Sequence, residues 1–321
     1  MLMAHERAKK GKMSRYEVLD FEFNLENYIV NLVEKIRNNQ YRLGQYREFK
    51  IYEPKERIIK ALPYIDRVVH QWYIHEFIKP YIVSKLIKDT YACFDGRGTH
   101  KAVAMVQKYM RIMKRENKEY YILKMDIKKF FYNIDHEILM NILIKYIKDK
   151  KLLAFTALMI FNDNEKIGIP IGNYTSQYFA NIYLNELDQF IKHEFKIKYY
   201  VRYMDDFVLL VKDKETAKVV YDKIKLFLEN KLKLSLNHKS RYYPSALGVN
   251  FCGYRIWSTH RLVRTRCKQK IKKKIKNWDK LNKEGKLDRK HIVLSFNSWL
   301  GHVKHANSYN LVKKIKRKLL L

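Results

Sequence analysis

The sequence predicts an α+β protein in which an antiparallel sheet carries helices on one face. Apolar runs with strand character and segments with helical periodicity follow one another as strand, helices, helix, strand hairpin, helix and strand. Apolar residues make up 47% of the 321 positions, which is enough for a chain of this length to bury a real core. Only 10 Gly and 5 Pro occur, and no low-complexity linker is present, so we expect the lobes to be continuous with each other.

The N-terminal part of the chain begins with a helix and a hairpin. Apolar side chains recur at helical spacing over residues 25–36. Residues 46–62 alternate on both sides of Glu53-Pro54-Lys55, which predicts a basic β-hairpin. Asp66 is expected to be the acidic N-cap of the following helix. Residues 93–100 predict a loop that leads into another helix.

The central part of the chain supplies the first strand of the sheet. The stretch "YYILKMDIKKFF" at residues 120–131 predicts a buried strand that ends at Asp126, and helical patterns follow to about Phe161. The stretch "GIPIG" at residues 168–172 predicts a tight loop. Residues 178–195 then predict a long helix.

A strand hairpin and a basic C-terminal region complete the assignment. The apolar runs "YYVRYM" and "FVLLV" predict two strands joined by a tight turn at Met204-Asp205, followed by a helix over about 214–230 and by short strands that include residues 248–256. Residues 255–321 hold 21 Lys or Arg against three acids, a net charge of +18. Apolar residues still recur there at helical spacing, which indicates a basic helical lobe that clamps nucleic acid.

The charge of the whole chain indicates a polyanionic partner. Sixty-six Lys and Arg stand against 33 Asp and Glu, giving +33 and a pI near 9.8, which favours nucleic acid. We expect no membrane segment and no signal peptide, since no run of 18 apolar residues occurs. Three scattered cysteines and the spacing of the histidines predict neither disulfides nor a zinc site. These features favour a cytoplasmic protein.

Two adjacent acids, Asp205 and Asp206, lie between the apolar runs of the predicted hairpin. Unpaired carboxylates near a low-dielectric interior are costly, and a bound cation would compensate them. Asp126 can converge on this pair if the two strands are neighbours, and three carboxylates suit two Mg²⁺ ions in phosphoryl transfer. Adjacent strand residues point in opposite directions. We therefore expect Asp126 and Asp205 to be the principal pair, with Asp206 nearer an edge and less essential.

The motif "YMDD" at residues 203–206 resembles the YxDD box of reverse transcriptases. Other stretches resemble further blocks of that family in the same order, together covering roughly residues 45 to 256. These stretches are "ERIIKALPYIDRVVHQ", "DTYACFDGRGTHKAV", "MDIKKFFYNIDHEIL", "GIPIGNYTSQYFANIYLNELD", "LKLSLNHKS" and "FCGYRI".

The resemblance implies a right-hand polymerase architecture. Residues 1–120 would form the N-terminal segment and fingers, and residues 121–255 the palm, with a helical insertion over about 137–165 on the fingers side. Residues 256–321 would form the basic helical thumb. The implied activity is RNA-directed DNA polymerisation with two Mg²⁺ ions and dNTP substrates.

The resemblance also assigns roles to single residues. Asp126, Asp205 and Asp206 match the catalytic metal ligands. Phe131 matches the bulky steric gate that would crowd a ribose 2′-OH. Arg57 and Lys50 match fingers residues that contact the triphosphate, where positive charge stabilises a transferring phosphoryl group.

The loop block at residues 171–177 resembles one subgroup of the family. It has the pattern IGxxxSQ where most reverse transcriptases have QGxxxSP, and it is similar to the enzymes of diversity-generating retroelements. The stretch "SFNSWLGHVKHANSY" also resembles their thumb. Those enzymes copy a template-repeat RNA, misincorporate opposite adenines and work with a small basic pentameric accessory protein, in bacterial hosts or their phages. Ile171 would offer apolar contact where a Gln can hydrogen-bond the nucleotide, which weakens discrimination.

Other interpretations stay open at this point. A group II intron enzyme would continue into a maturase or DNA-binding region, and a retron enzyme would carry VTG where this chain has "GVNFCGY". A defence-associated reverse transcriptase, without adenine mutagenesis, is harder to exclude. A non-catalytic RNA-binding protein is an alternative of another class, but it would not need all three aspartates.

Overall fold

The computed structural model describes residues 1–52, 56–161, 165–286 and 288–319. The chain folds into two compact units whose segments alternate along the sequence. The first unit comprises residues 1–88, 127–194 and 224–236, and the second comprises residues 89–126, 195–223 and 237–321. The division into fingers, palm and thumb at residues 120 and 255 concerns functional subdomains and stays a prediction.

From residue 25 onwards the helices and strands follow the order that the sequence predicts, whereas the two helices before residue 25 were not predicted. The helices of the described residues are α1 (Leu2–Ala8), α2 (Tyr16–Phe23), α3 (Leu25–Arg37), α4 (Tyr64–Tyr73), α5 (Lys79–Tyr81), α6 (Thr99–Glu116), α7 (His136–Tyr146), α8 (Lys150–Ile160), α9 (Tyr174–His193), α10 (Lys214–Lys231), α11 (Thr265–Lys283), α12 (Arg289–Val303) and α13 (Tyr309–Leu319). The strands are β1 (Arg47–Ile51), β2 (Arg57–Ala61), β3 (Tyr121–Asp126), β4 (Tyr200–Tyr203), β5 (Asp206–Val211), β6 (Arg241–Pro244), β7 (Val249–Phe251), β8 (Tyr254–Ile256) and β9 (Arg261–Val263).

The first unit contains the predicted hairpin. Strands β1 and β2 pair antiparallel, with Lys50 opposite Ile58 and Ile51 opposite Arg57. The predicted turn at Glu53-Pro54-Lys55 lies outside the described residues. Helix α9 packs against α4 and α7 in the same unit. It begins at Tyr174, four residues before the predicted start, because the apolar spacing used for the prediction begins only at residue 178.

Asp66 does not cap α4, contrary to the prediction. The helix begins at Tyr64 after Pro63, which places Asp66 within its first turn. The Asp66 carboxylate is buried and accepts hydrogen bonds from the Tyr41 hydroxyl and, at 3.1 Å, from the Gly44 amide. Burial raises the pKa of Asp66, and these two donors oppose the shift. The side chain therefore ties the segment after α3 to α4.

The second unit is built on an antiparallel sheet with strand order β4-β5-β3-β6. Helix α6 packs against β4 and β5. Its buried residues Val103, Val106 and Met110 join Ile122, Val208 and other side chains in one apolar core. The three short strands β7, β8 and β9 form a second antiparallel sheet. The buried side chains of β7 and β8 belong to the same core, whereas Val263 of β9 packs in the core of the C-terminal helices.

The basic C-terminal helices have a core of their own. Ile271, Ile275 and Trp278 lie on one face of α11 and are buried with Trp299, Val303 and Ile315 from α12 and α13. This confirms the helical prediction for the region, since apolar side chains at helical spacing are those that become buried. The many lysines between them occupy the other faces of α11.

One backbone contact in the first unit gives a test of the fold. Gly172 has φ +133°, and a Cβ there would lie 2.8 Å from the Lys60 carbonyl oxygen on β2. Because that atom belongs to a strand and cannot move easily, Gly172→Ala should lower the free energy of unfolding by about 1–3 kcal/mol. Chemical denaturation measures this.

Gly301 provides the matched control for that measurement. It lies within α12 with nothing within 4 Å of its Cβ position, so Gly301→Ala should leave stability unchanged or raise it by about 0.5–1 kcal/mol. Equal effects of the two substitutions would contradict a close approach between the 168–172 loop and β2.

Candidate active site

The β4–β5 hairpin places two acids at its tip. Tyr203 pairs with Asp206, so the turn consists of Met204 and Asp205 alone, as predicted. Met204 has φ +55°, which is unusual for a residue with a side chain. Such conformations persist where surrounding contacts over-determine them.

Arg202 supplies one of these contacts from within the protein core. Its side chain is fully buried, and its guanidinium donates to the Met204 carbonyl oxygen at 3.2 Å. The Arg202 backbone also forms two hydrogen bonds, each of 2.9 Å. Its amide donates to the Asp89 carbonyl, and its carbonyl accepts from the Tyr91 amide. The turn that carries Asp205 is therefore braced by a buried cation.

Asp126 lies at the end of β3, beside the hairpin. Its direct cross-strand partner is Asp206, so these two residues share one face of the sheet, and Asp205 lies in the adjoining turn. The alternation of strand residues predicts instead that Asp205 partners Asp126 and that Asp206 lies nearer an edge. The pairing register gives the cross-strand position to Asp206 because the hairpin turn takes up Asp205.

The backbone of Asp126 is held in place by a short segment before β6. The Asp126 amide donates to Ser240 Oγ at 3.0 Å, and that hydroxyl donates in turn to the Asp126 carbonyl oxygen at 3.1 Å. The Asn237 amide donates to the same carbonyl at 2.7 Å. These bonds fix the end of the strand while the Asp126 carboxylate remains at its tip.

Lys124 neutralises one of the three acids. It lies two residues before Asp126, on the same face of β3, and its ammonium forms an ion pair with the Asp206 carboxylate. Burial raises the pKa of Asp206 to about 6; Lys124 opposes that shift, while Asp126 and Asp205 add to it. The negative charges of Asp126 and Asp205 are thus close enough to disfavour the ionised form of Asp206.

This donor set fits hard divalent cations. Three carboxylates occupy neighbouring backbone positions, and carboxylate oxygens are the ligands that Mg²⁺ prefers. Over the part of the chain that the structure describes, the only three ligand-type side chains within 4.8 Å of one another are His5, Glu6 and Glu22, where Lys9 bonds both glutamates. The carboxylate oxygens of the three aspartates do not all lie within that distance of one another, which agrees with the ion pair between Lys124 and Asp206.

The predicted triphosphate contacts lie on the hairpin of the first unit. Lys50 is more than half exposed and forms an ion pair of 3.2 Å with Glu56, an exposed pair that contributes little to stability. Arg57 is the exposed first residue of β2 and pairs with Ile51 in the register. Both cationic residues are therefore exposed to solvent on the β1–β2 hairpin.

Phe131 and Ile171 are linked through the loop at residues 168–172. The Ile169 amide donates to the Phe131 carbonyl at 2.8 Å, and the Lys60 amide donates to the Ile171 carbonyl at 3.1 Å. The loop thus connects the short 3-10 helix Phe130–Asn133 with β2. Ile171 also lines a cavity of about 300 Å³, which Lys60, Tyr132 and other residues of the same unit complete.

Three residues near the aspartates escaped the sequence analysis: Lys124, Arg202 and Ser240. Only Lys124 carried a signal, since residues two apart on a strand share a face and a lysine beside a predicted metal ligand is a candidate counter-ion. The roles of Arg202 and Ser240 arise from contacts between segments distant in sequence. Neither contact is visible in a local pattern.

Comparison with protein families gives one match to most of the chain. The model of the family described as "Reverse transcriptase (RNA-dependent DNA polymerase)" matches residues 50–256. This range includes the three aspartates and the four residues predicted to contact the nucleotide.

Two curated proteins illustrate the similarity. The COX1/OXI3 intron 2 protein of Saccharomyces cerevisiae is 24% identical over 341 aligned residues, which cover 79% of this chain and 37% of that protein. The group II intron-encoded protein LtrA of Lactococcus lactis subsp. cremoris is 28% identical over 202 residues, covering 41% of this chain and 34% of LtrA. The chain therefore spans about a third of the length of these relatives.

A solved structure shares the fold. The apo telomerase of Candida tropicalis, truncated from its C-terminal domain, superposes with a TM-score of 0.51 at 14% sequence identity, covering 74% of this chain and 59% of the telomerase chain. At this identity the likeness concerns the fold alone. It confirms the predicted α+β class and the right-hand polymerase architecture. None of the described helices is long and apolar enough to cross a membrane.

The brace at the hairpin turn can be tested by its effect on stability. Arg202→Met keeps much of the side-chain volume but removes the donor to Met204, so we expect the free energy of unfolding to fall by about 2–4 kcal/mol. Arg115→Met, at an exposed position of the last turn of α6, should stay within about 0.5 kcal/mol. Thermal and urea denaturation would distinguish the two, and similar losses would contradict the assigned role of Arg202.

Proposed function

Because the chain belongs to the reverse transcriptase family, we propose that it is an RNA-directed DNA polymerase that uses dNTPs. The observation that carries the proposal is the placement of Asp126, Asp205 and Asp206 at adjoining positions of one sheet and its hairpin. A protein that only bound RNA would gain nothing from three costly carboxylates at one strand end.

Enzymes of this family generally use divalent metal ions, and we assign two Mg²⁺ ions as the cofactors here. When bound, such ions activate a primer hydroxyl and stabilise the leaving pyrophosphate. Asp126 and Asp205 would be the principal ligands, with Asp206 as the third acid. This ranking of the three ligands stays a prediction, since the strand register makes Asp206, and not Asp205, the cross-strand partner of Asp126. The protein's own contribution is to hold these carboxylates in place through Arg202, Ser240 and β-pairing.

We assign the recognition of the nucleotide to four residues of the first unit. Lys50 and Arg57 would contact the triphosphate with their positive charges. Phe131 would act as the steric gate against a ribose 2′-OH, and the backbone bond from Ile169 fixes the segment that carries it. Ile171 would contact the incoming nucleotide through apolar atoms alone.

The charge of the protein supports template RNA and the cDNA–RNA hybrid as its partners. A chain with a net charge of +33 binds the phosphate backbone with an affinity that falls steeply as salt rises. The C-terminal helices supply a large share of that charge, and their apolar faces are buried in a separate core, which leaves the lysines on the outside.

Within the family, we propose the enzyme of a diversity-generating retroelement. It would copy a template-repeat RNA into cDNA that carries substitutions at adenines, for mutagenic retrohoming in a bacterium or phage. The pattern IGNYTSQ at residues 171–177 supports this, since Ile171 replaces a hydrogen-bonding Gln by an apolar side chain. A small basic pentameric accessory protein is the proposed protein partner.

A group II intron-like reverse transcriptase without adenine mutagenesis is the second candidate. It is favoured by the intron-encoded relatives, of which LtrA is 28% identical over the matched residues. A defence-associated enzyme would share the same faithful chemistry. Both of these enzymes would differ from the retroelement enzyme in the copying errors of the cDNA, not in the aspartate site.

Removing one acid tests the polymerase proposal. Asp205→Asn should lower RNA-templated DNA synthesis by at least about a thousandfold, because a metal ligand contributes several kcal/mol to the transition state. Asp213→Asn is the matched control: Asp213 accepts from the Thr216 amide at 2.7 Å, a role that Asn can also fill, so activity should be retained. A fully active Asp205→Asn variant would contradict the role of Asp205 as a metal ligand, and a parent protein without any RNA-templated DNA synthesis would favour the non-catalytic RNA-binding alternative.

Sequencing of the cDNA tests the assignment to the retroelement subgroup. Purified protein with its accessory protein and template-repeat RNA should yield substitutions concentrated at template adenines, and Ile171→Gln should reduce them severalfold, since a restored hydrogen bond improves discrimination. Total cDNA yield serves as the internal control. Faithful copying of all four bases would keep the polymerase and favour the second candidate.

A further inference from the structure

Lys124 is a cation built into the aspartate site. It lies on β3, its side chain is 17% exposed, and its ammonium pairs with Asp206 diagonally across the β3–β5 ladder. The aromatic ring of Phe251 lies under the ammonium, with its centroid 5.9 Å from Nζ. These contacts direct the ammonium towards the carboxylate.

A second cation beside Lys124 is directed elsewhere. Arg241 is the cross-strand partner of Lys124 on β6, and its guanidinium lies over the Tyr243 ring, 5.3 Å from the centroid. Of these two cationic neighbours on the sheet, Lys124 is the one that bonds an acid of the site.

The pairing has a consequence for a divalent cation. A carboxylate oxygen that accepts from an ammonium must give up that bond, or share it, before it can bind a metal. The ammonium also repels any cation held by Asp126 and Asp205, and the repulsion is strong because the site is partly shielded from water. Both effects lower the affinity for the metal, while the pair stabilises the protein without metal.

We propose that Lys124 is an internal counter-ion that reserves Asp206 and thereby lowers the affinity of the aspartate site for divalent cations. This makes Lys124 a positioning residue, and it explains how Asp206 can face Asp126 across the ladder while Asp126 and Asp205 serve as the principal ligands. The inference rests on the proposed function, since it concerns the metal of that polymerase.

The test measures binding of Mn²⁺ to the full chain without nucleic acid, by the loss of the free Mn²⁺ signal in electron paramagnetic resonance. Lys124→Met and Lys124→Gln should each lower the Kd at least about tenfold, a difference of about 1.4 kcal/mol. Lys124→Arg, which keeps the charge, should stay within about threefold of the parent protein, in keeping with retained repulsion.

Lys212→Met is the matched control for the loss of one positive charge. Lys212 follows β5 and is largely exposed, with an ion pair of 3.7 Å to Asp213, so its removal should leave the Kd unchanged. The melting temperature of each variant in EDTA reports on folding. Because two neutral variants are measured, misfolding of one leaves the other to decide.

The outcomes separate the two proposals. Asp126→Asn should abolish the binding of Mn²⁺. If the parent protein binds no Mn²⁺, or if it binds Mn²⁺ equally well after this substitution, the metal site itself is overturned. If the parent binds and both neutral variants bind equally well or more weakly, the role of Lys124 is overturned and the polymerase proposal stands. The same direction is expected for the Mg²⁺ concentration that gives half-maximal DNA synthesis, which should fall in the neutral variants.

Discussion

The repulsion among three carboxylates at one end of a sheet is the constraint on which the candidate site depends. Asp126 and Asp206 face each other across the β3–β5 ladder, and Asp205 follows directly in the turn. This arrangement is costly without compensation, since desolvated like charges disfavour one another. The ion pair of Lys124 with Asp206 offsets part of the cost, and the backbone anchors at Asp126 and Met204 resist the rest.

The loop at residues 168–172 has a corresponding role in the first unit. Its glycines at both ends adopt positive φ, and the chain between them bonds to Phe131 on one side and to β2 on the other. Gly172 is required because a side chain there would meet the Lys60 carbonyl. Residues that the family resemblance assigns to the nucleotide are thereby joined by backbone bonds rather than by flexible side-chain contacts.

The excess positive charge is placed where it does not disturb the packing of the apolar cores. In the C-terminal helices, apolar residues such as Ile271 and Trp278 are buried together, and the lysines between them face outwards. In the second unit's sheet, by contrast, charge is paired internally, as Lys124 and Asp206 show. One protein therefore combines a surface suited to polyanions with a small internal cluster of acids.

The sequence by itself determined the order of elements from residue 25 onwards, the Met204-Asp205 turn, the basic helical lobe and the convergence of Asp126 with the Asp205-Asp206 pair, because apolar periodicity and motif residues are local properties of the chain. It misplaced Asp66 as a helix cap, since the burial of Asp66 against Tyr41 joins residues that are distant in the sequence. It began α9 four residues late, because regular apolar spacing begins only at residue 178. Only the tertiary structure decided that Asp206 faces Asp126, that Lys124 pairs with Asp206 and that Arg202 supports the turn. Strand register and buried polar contacts join residues far apart in the sequence, and their energies exist only once the strands have paired.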